Sequence, residues 1–312
     1  MTSISKAADN AANKAASNKL GLHGFVWEAG WDREQCARAI RNTGALGFDL
    51  IEACALDPST IDVDFTRREL ERAGIGLTFS LGLDADTDIS SGDDDKTRRG
   101  EQKLNLILSI ARDLGATHVC GILYSAFQKY AFPATSAGVA RSVEVIRRVG
   151  EKAAASDIIL GMEVVNRYET NVINTASQGV EFCRRVGLPN VRVHLDCYHM
   201  NIEEADVGAA IIETGAYLGY FHTGDSNRGY LGSGSIDFSR VFRALVRSGY
   251  AGPITFESFS SKVVGQPLEG ILGIWRNLWD DGHDLSAHAK QFTEAHLKAA
   301  REAIAHTHSP LV

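Results

Sequence analysis

Short and almost continuously apolar runs recur along the chain, and longer amphipathic stretches separate them. Runs of this kind are typical of parallel strands that are covered on both faces. Gly, Asp or Pro residues bound most of the runs, as is usual where strands end. The pattern predicts eight strands, at residues 20–27, 48–55, 75–83, 117–123, 158–165, 191–197, 218–222 and 254–259.

The stretches between these runs repeat apolar residues with helical spacing. Between Asp237, which can cap a helix N-terminus, and Gly249, which can end a helix, the residues Val241, Phe242 and Leu245 fall on one stripe. Comparable patterns predict helices at residues 33–46, 65–73, 98–114, 136–155, 176–186, 203–214, 238–248 and 285–305.

Eight strands that alternate with helices predict an α/β fold of the (β/α)₈ TIM-barrel type in a single domain. The alternative is an open doubly wound sheet, which often carries GxGxxG after its first strand; neither that motif nor a Walker A motif follows here. No Pro- or Ser-rich linker interrupts the pattern. We therefore assign residues 20–312 to one catalytic barrel with a C-terminal helix, and residues 1–19 to a flexible extension.

The polar stretch 84–97 is expected to be a long loop, either a lid or a solvated connection.

Composition narrows the class of protein further. With 44% apolar and 23% charged residues, the chain is typical of globular proteins rather than disordered or fibrous ones. The 32 basic and 39 acidic residues give a net charge of −7, which disfavours a nucleic-acid partner, and no apolar run approaches a membrane span. Five scattered cysteines indicate a reducing compartment rather than a disulfide framework. We expect a cytoplasmic protein without a membrane or nucleic-acid partner.

Polar residues close the last four predicted strands. In a TIM barrel the active site lies at the carboxyl ends of the strands, and these strands carry Glu163, Asp196, His222 and Glu257 there. The four positions are each about one βα unit apart, so their side chains should lie at a similar height. Three carboxylates and an imidazole in an apolar barrel would repel and desolvate one another unless a cation compensates. An oxygen-rich set with one histidine favours Mn²⁺, Mg²⁺ or Co²⁺.

The loops that follow these strands carry a second set of polar residues. Glu169, His199 and Arg228 offer hydrogen-bond acceptors and donors that suit a polyhydroxylated ligand. Taken singly, each of these residues could equally form an ordinary salt bridge within a loop.

Three segments together resemble a known family. They are EVVNRYE at 163–169, HLDCYHMN at 194–201 and FHTGDSNR at 221–228. These segments resemble the ketose 3-epimerases, a family that includes the D-tagatose, D-allulose (D-psicose) and L-ribulose 3-epimerases. The resemblance extends over the chain from Gly21 onward and is densest between residues 160 and 260. Within the wider sugar isomerase and epimerase superfamily, the first segment is typical of the 3-epimerases rather than of the aldose–ketose isomerases.

The resemblance implies an activity and a set of site residues. It implies metal-dependent C3 epimerisation of a free ketose through an enediolate, in a homodimer or homotetramer. One divalent ion per subunit (Mn²⁺, Mg²⁺ or Co²⁺) would be held by Glu163, Asp196, His222 and Glu257, with Glu163 and Glu257 as the acid/base pair. It places substrate contacts at Glu169, His199, Arg228, His23, Trp31 and Phe259. His23 stands where many members carry an aromatic residue, and Asp225 and Ser258 replace the commoner Glu and Pro.

Proton exchange at C3 is also chemically reasonable at such a site. The C3 hydrogen of a ketose lies next to the C2 carbonyl, which a divalent ion on O2 and O3 would polarise. Epimerisation needs proton transfer on both faces of the sugar, and Glu163 and Glu257 come from opposed arcs of the predicted barrel.

Three other functions are compatible with parts of this pattern. An aldose–ketose isomerase on the same barrel would give an aldose as product. A metal-dependent endonuclease would use several metals, more histidine ligands and a basic groove. A sugar-binding protein without activity would not need a carboxylate on each side of its ligand.

Overall fold

A computed structural model describes residues 18–307, and they form a closed barrel of eight parallel strands in chain order. The barrel closes where β1 pairs with β8, with Leu20 opposite Ile254 and Leu22 opposite Phe256. This confirms the predicted single-domain TIM barrel. The strands are β1 Leu20–His23, β2 Leu50–Cys54, β3 Gly76–Leu83, β4 His118–Ala126, β5 Ile159–Glu163, β6 Val191–Asp196, β7 Leu218–Thr223 and β8 Ile254–Phe256.

Helices connect successive strands on the outside of the barrel. They are α1 Arg33–Ala45, α2 Val63–Ala73, α3 Asp94–Leu114, α4 Ser136–Ala154, α5 Ala176–Val186, α6 Cys197–Glu203, α7 Val207–Thr214, α8 Phe238–Arg247, α9 Ser261–Val264, α10 Leu268–Leu272 and α11 Gly282–Thr307. Single 3₁₀ turns lie at Gly24–Val26, Pro58–Thr60 and Gly215–Tyr217.

Local sequence signals fix where several helices begin and end. At the start of α5, the Thr175 side chain accepts a hydrogen bond from the Gln178 backbone N–H. The Gln178 side chain accepts one from the Thr175 backbone N–H, and this reciprocal pair is a capping box. Gly187 ends α5 with φ of 77°, a left-handed conformation that glycine adopts without steric cost. Helix α2 ends in the same way at Gly74, where φ is 68°.

Two predicted elements differ from the structure. The first predicted strand ends early, at His23, because the chain turns into the 3₁₀ segment whose Phe25 N–H donates to His23 Nδ1. The helix predicted at 203–214 is confirmed over most of its length as α7, but it begins later, at Val207, and the separate helix α6 was not predicted. Asp206 lies between them and caps α7 by accepting a hydrogen bond from the Ala209 N–H.

The predicted loop at 84–97 is shorter and better packed than expected. Helix α3 already begins at Asp94, and Asp88 accepts a 2.6 Å hydrogen bond from the Tyr130 hydroxyl. Ile89 is fully buried. The middle of the loop is therefore anchored by the burial of Ile89 and by the hydrogen bond to Tyr130, whereas residues 84–86 and 92–93 are exposed. A role as a lid stays a prediction.

The ends of the described chain also pack on the barrel. Residues 1–17 of the predicted extension lie outside the described residues. Asn18 donates from its side chain to the carbonyls of Tyr250 and Gly252, and it accepts a hydrogen bond from Arg301 of α11.

All five cysteines are free. Within residues 18–307 no helix has the length and apolar character needed to cross a membrane.

The anchored loop gives a test of the packing. A Cβ at Gly100 of α3 would lie 2.2 Å from the Thr87 carbonyl oxygen and 2.5 Å from Ile89 Cγ2. We expect Gly100→Ala to lower the free energy of unfolding by about 1–3 kcal/mol through overpacking, although alanine favours an isolated helix by about 1 kcal/mol. Chemical denaturation measures the change. Gly270→Ala is the control, because the atom nearest to its Cβ would be the flexible Gln266 Oε1 at 3.4 Å. An equal effect of both substitutions would contradict the packing argument.

Candidate active site

The four residues expected to bind a metal meet at the carboxyl end of the barrel. Strand pairing places Asp196 beside His222, and the Glu257 N–H donates to the Thr223 carbonyl. The donor atoms of Glu163, Asp196, His222 and Glu257 all lie within 4.8 Å of one another. His222 Nδ1 is 3.8, 3.7 and 3.6 Å from carboxylate oxygens of Glu163, Asp196 and Glu257, respectively. The structure therefore brings together the whole predicted ligand set.

A further carboxylate, Glu52, contacts this cluster from β2. It is fully buried, and its Oε2 lies 2.9 Å from His222 Nε2. We did not expect Glu52 from the sequence, because it lies within a strand and not at its carboxyl end. The available signal was an acidic residue inside the apolar run Leu50-Ile51-Glu52-Ala53.

Arg228 lies against two of the predicted metal ligands. Its Nη1 is 2.9 Å from Asp196 Oδ2 and 2.6 Å from Glu257 Oε2. The guanidinium carbon stacks on Tyr198 at 4.0 Å from the ring centroid and lies 5.1 Å from that of Phe259. The predicted substrate contact is thus also a charge partner of the buried carboxylates.

Two of the three departures from the family pattern, Asp225 and Ser258, support the backbone around Arg228. This residue has a φ of 58°, which is uncommon for a side chain of its size. The Ser258 hydroxyl donates to the Arg228 carbonyl and accepts a 2.8 Å hydrogen bond from Trp279 Nε1. Asp225 is fully buried and accepts from three backbone N–H groups of the same loop, those of Ser226, Gly232 and Gly234.

His199 and Glu169 form the opposite side of the site. The Asn166 N–H donates to His199 Nδ1 at 3.2 Å, so the proton of the neutral imidazole lies on Nε2. That atom is 3.8 Å from oxygens of both Glu163 and Glu169, beyond hydrogen-bond distance, and it lies at the cavity 3.5 Å from Arg228 Nη2. The Asn166 side chain also donates to Glu169 at 2.8 Å. Asn166 was not among the residues predicted to act in the site.

A cavity of about 760 Å³ opens above the cluster. Of the four predicted metal ligands, Glu163 and Glu257 line it, whereas Asp196 and His222 do not. Five of the six predicted substrate contacts line it as well, namely Glu169, His199, Arg228, His23 and Phe259.

Trp31 is the predicted contact that does not reach the cavity. It is only 7% exposed and packs in the main core beneath Gly24, with its indole N–H unpaired. A substrate contact by Trp31 stays a prediction that the cavity wall does not support. That wall is instead formed by the segment after β8, including Val264, Leu268 and Ile274, to which we assigned no role from the sequence.

Comparison with known proteins agrees with this geometry. Residues 38–301 match the model of the xylose isomerase-like TIM barrel family. The ketose 3-epimerase of Arthrobacter globiformis is 46% identical over 283 residues, which cover 91% of this chain and 98% of that protein. The L-ribulose 3-epimerase of Mesorhizobium japonicum is 42% identical and covers 94% and 99% of the two chains. The chain belongs to the ketose 3-epimerase family.

Solved structures of the family share the whole architecture. A structure of L-ribulose 3-epimerase superposes with a TM-score of 0.91 at 41% identity, over 95% of this chain and 99% of that one. The D-allulose 3-epimerase of Methylomonas sp., solved in complex with D-allulose, gives a TM-score of 0.88 at 41% identity, over 90% and 98% of the chains. This chain is therefore an isomerase of the epimerase class.

The electrostatics of the epimerase site divide its carboxylates into two kinds. Burial alone would raise the pKa values of Asp196 and Glu257, but the adjacent Arg228 guanidinium holds both below their usual range. Burial raises the pKa of Glu163 well above its usual value, and the nearby Glu257 carboxylate adds to this effect. Burial opposes protonation of His222, yet the carboxylates of Glu52 and Glu257 raise its pKa. In the metal-free protein the pKa values of Glu163 and His222 are therefore shifted toward the protonated forms, whereas those of Asp196 and Glu257 are shifted toward the ionised forms.

The cluster fits a divalent metal ion. His222 Nδ1 is buried, has no hydrogen-bond partner and faces three carboxylates. A buried polar atom without a partner is costly, and a cation among these four residues would satisfy it. Oxygen-rich ligation with one imidazole suits Mn²⁺, Mg²⁺ or Co²⁺.

This arrangement predicts that metal binding expels protons. An imidazole nitrogen must give up its proton to bind a metal, so Mn²⁺ should displace a proton from His222 Nδ1 and should bind more weakly as the pH falls. Titration calorimetry in two buffers of different ionisation enthalpy measures the protons released. His222→Gln should bind Mn²⁺ more weakly and release fewer protons. Identical heats in both buffers would contradict the predicted protonation.

Proposed function

We propose that this protein interconverts C3 epimers of unphosphorylated ketoses. The observation that carries this proposal is that Glu163 and Glu257 are the two predicted metal ligands that line the cavity, and their surroundings shift their pKa values in opposite directions, upward for Glu163 and downward for Glu257. Paired carboxyl groups whose pKa values are pushed apart are the usual arrangement of a general acid and a general base. A reaction that transfers a proton on each face of one carbon requires both.

Glu163, Asp196, His222 and Glu257 would hold one divalent cation, for which we propose Mn²⁺, Mg²⁺ or Co²⁺. When bound, such an ion supplies positive charge that polarises the ketose carbonyl and lowers the pKa of the neighbouring C–H bond. The chain itself contributes the orientation of the four ligands and the exclusion of water beneath the cavity, since Asp196 and His222 are fully buried.

The acid/base step follows from the two cavity carboxyl groups. In one direction the Glu257 carboxylate removes the C3 proton, and the Glu163 carboxyl returns a proton on the other face of the resulting enediolate. The reverse reaction exchanges these roles, so the same two residues serve both directions.

The surrounding residues would orient the sugar. The His199 Nε2–H and the Arg228 guanidinium would donate to oxygens at the C1–C3 end, and Glu169 would accept from a hydroxyl there. Phe259 and His23 would contact the rest of the sugar, since both line the cavity.

The choice of substrate class rests on relatives and on the charges in the cavity. Relatives at 34–46% identity are named ketose, L-ribulose and D-psicose 3-epimerases. We propose D-fructose/D-allulose, D-tagatose/D-sorbose and L-ribulose/L-xylulose as the pairs to test. The cytoplasmic location and the homodimer or homotetramer stay predictions.

Solvent isotope incorporation tests the reaction. Because carboxyl protons exchange with solvent, turnover in D₂O should place deuterium at C3 of the product and none at C1. Mass spectrometry and NMR of the separated sugars locate the label. An aldose product labelled at C1 would favour the aldose–ketose isomerase instead, and retention of the original C3 hydrogen would exclude exchange through two carboxyl groups.

Substitution of each carboxyl group separates the two faces. Glu163→Gln and Glu257→Gln should each lose epimerisation in both directions by at least about 100-fold, since each turnover uses both groups. A variant that retains metal should still exchange the C3 proton of one epimer with D₂O, through the surviving base. Asp88→Asn is the matched control, because this buried carboxylate lies outside the cavity lining and bonds to Tyr130.

The cavity also predicts a preference for sugars without phosphate. Arg228 is paired with Asp196 and Glu257, while Lys103 donates to the Gly82 carbonyl and lies 3.6 Å from Asp84. Both cations near the cluster are thus already paired, and the third cation that lines the cavity, Arg276, is an exposed residue of the segment after β8. We expect kcat/KM for D-allulose to exceed that for its 6-phosphate, as measured by product chromatography. A higher value for the phosphate would overturn this preference.

A further inference from the structure

Glu52 holds a buried negative charge that the acid/base mechanism does not use. It is fully buried on β2, beside His23 of β1 in the strand register. Its Oε2 lies 2.9 Å from His222 Nε2, whereas its Oε1 has no hydrogen-bond partner and lies 3.9 Å from His23 Nε2. A buried carboxylate is costly to the fold unless its charge is compensated. Its position therefore calls for an explanation beyond stability.

The hydrogen bond to Glu52 determines which nitrogen of His222 is free. A carboxylate can only accept, so the proton of the neutral imidazole lies on Nε2. The lone pair then lies on Nδ1, the atom that faces Glu163, Asp196 and Glu257 at 3.6–3.8 Å. In the opposite tautomer Nδ1 would carry a hydrogen and could not bind a metal ion.

We infer that Glu52 is a positioning residue that keeps His222 in the metal-binding tautomer and orientation. The inference rests on the proposed metal site and assigns to it a carboxylate outside the ligand set. Histidine ligands commonly donate their second ring N–H to such a group, and loss of that group typically weakens metal binding about 10- to 100-fold.

The two imidazoles near His222 do not provide the same restraint. The His194 ring lies 4.1 Å from that of His222, between centroids, but neither of its nitrogens has a hydrogen-bond partner. His23 Nδ1 accepts from the Phe25 N–H, so the neutral ring carries its proton on Nε2, 3.1 Å from Ser80 Oγ and 3.6 Å from Glu257 Oε1. His23 thus faces Glu257 and not His222 Nε2. Among the described residues that we assign to the site, Glu52 is the one that contacts the second nitrogen of the histidine ligand.

Metal affinity tests the inference without relying on turnover. Metal-free protein is titrated with Co²⁺, and the visible absorption of the bound ion reports both affinity and ligand geometry. Glu52→Gln should weaken Co²⁺ binding about 10- to 100-fold and alter the spectrum, because an amide can present N–H to His222 and favour the wrong tautomer. Glu52→Met fills a similar volume without charge and should have the same effect, and it serves as the test if the glutamine variant does not fold.

Two comparisons decide between positioning and a general structural effect. Asp88→Asn changes another buried carboxylate to an amide and should leave Co²⁺ affinity unchanged. In a His222→Gln background, Glu52→Gln should cause no further loss of affinity. Full affinity in both Glu52 variants, or an equal loss with and without His222, would overturn the inference. If the unsubstituted protein binds no Co²⁺, the proposed metal site itself fails, and the two failures are thereby distinguishable.

Discussion

Three carboxylates buried within a few ångströms of one another are the constraint on which the active site depends. Glu163, Asp196 and Glu257 could not share the end of an apolar barrel as unpaired anions, because neither water nor distance would reduce their repulsion. The Arg228 guanidinium supplies positive charge beside Asp196 and Glu257, and His222 lies among the carboxylates, where Glu52 and Glu257 raise its pKa against the opposing effect of burial. Without a metal, Arg228 and His222 thus partly compensate the charge of the carboxylates. A bound cation would either displace these two groups from the carboxylates or bind beside them.

This constraint explains the structure of the surrounding loops. Arg228 must reach two carboxylates from an exposed connection, and it does so with a left-handed backbone conformation. The Ser258 hydroxyl donates a hydrogen bond to the Arg228 carbonyl, and the buried Asp225 carboxylate accepts hydrogen bonds from three backbone N–H groups of the same loop. The hydrogen bonds within this loop therefore keep the Arg228 guanidinium next to the carboxylates at the strand ends.

The barrel and the ligand set could be predicted from the sequence because both follow from simple repeats. Parallel strands bring their carboxyl ends to one edge, so residues one βα unit apart, such as Asp196 and His222, must become neighbours. Glu52 could not be found in this way, since a side chain within a strand can face the barrel interior or the helices. Nor could Trp31 be placed, because whether an aromatic residue packs in the core or at a cavity wall depends on the turn before it, here the 3₁₀ segment Gly24–Val26.

The lining of the cavity has a charged part and an apolar part, and the two parts would contact different regions of a bound sugar. Near the cluster the cavity is lined by Glu163, Glu257 and Arg228, which come from strand ends or from loops tied to them. An apolar part of its wall comes from the short helices α9 and α10, where Val264 and Leu268 pack with Phe259. Every ketose presents the same C1–C3 unit, so the polar part cannot distinguish one ketose from another. If the substrates are ketoses as proposed, selection among them would arise from the rest of the lining, including the apolar segment after β8, whose residues can differ without disturbing the charge balance of the cluster.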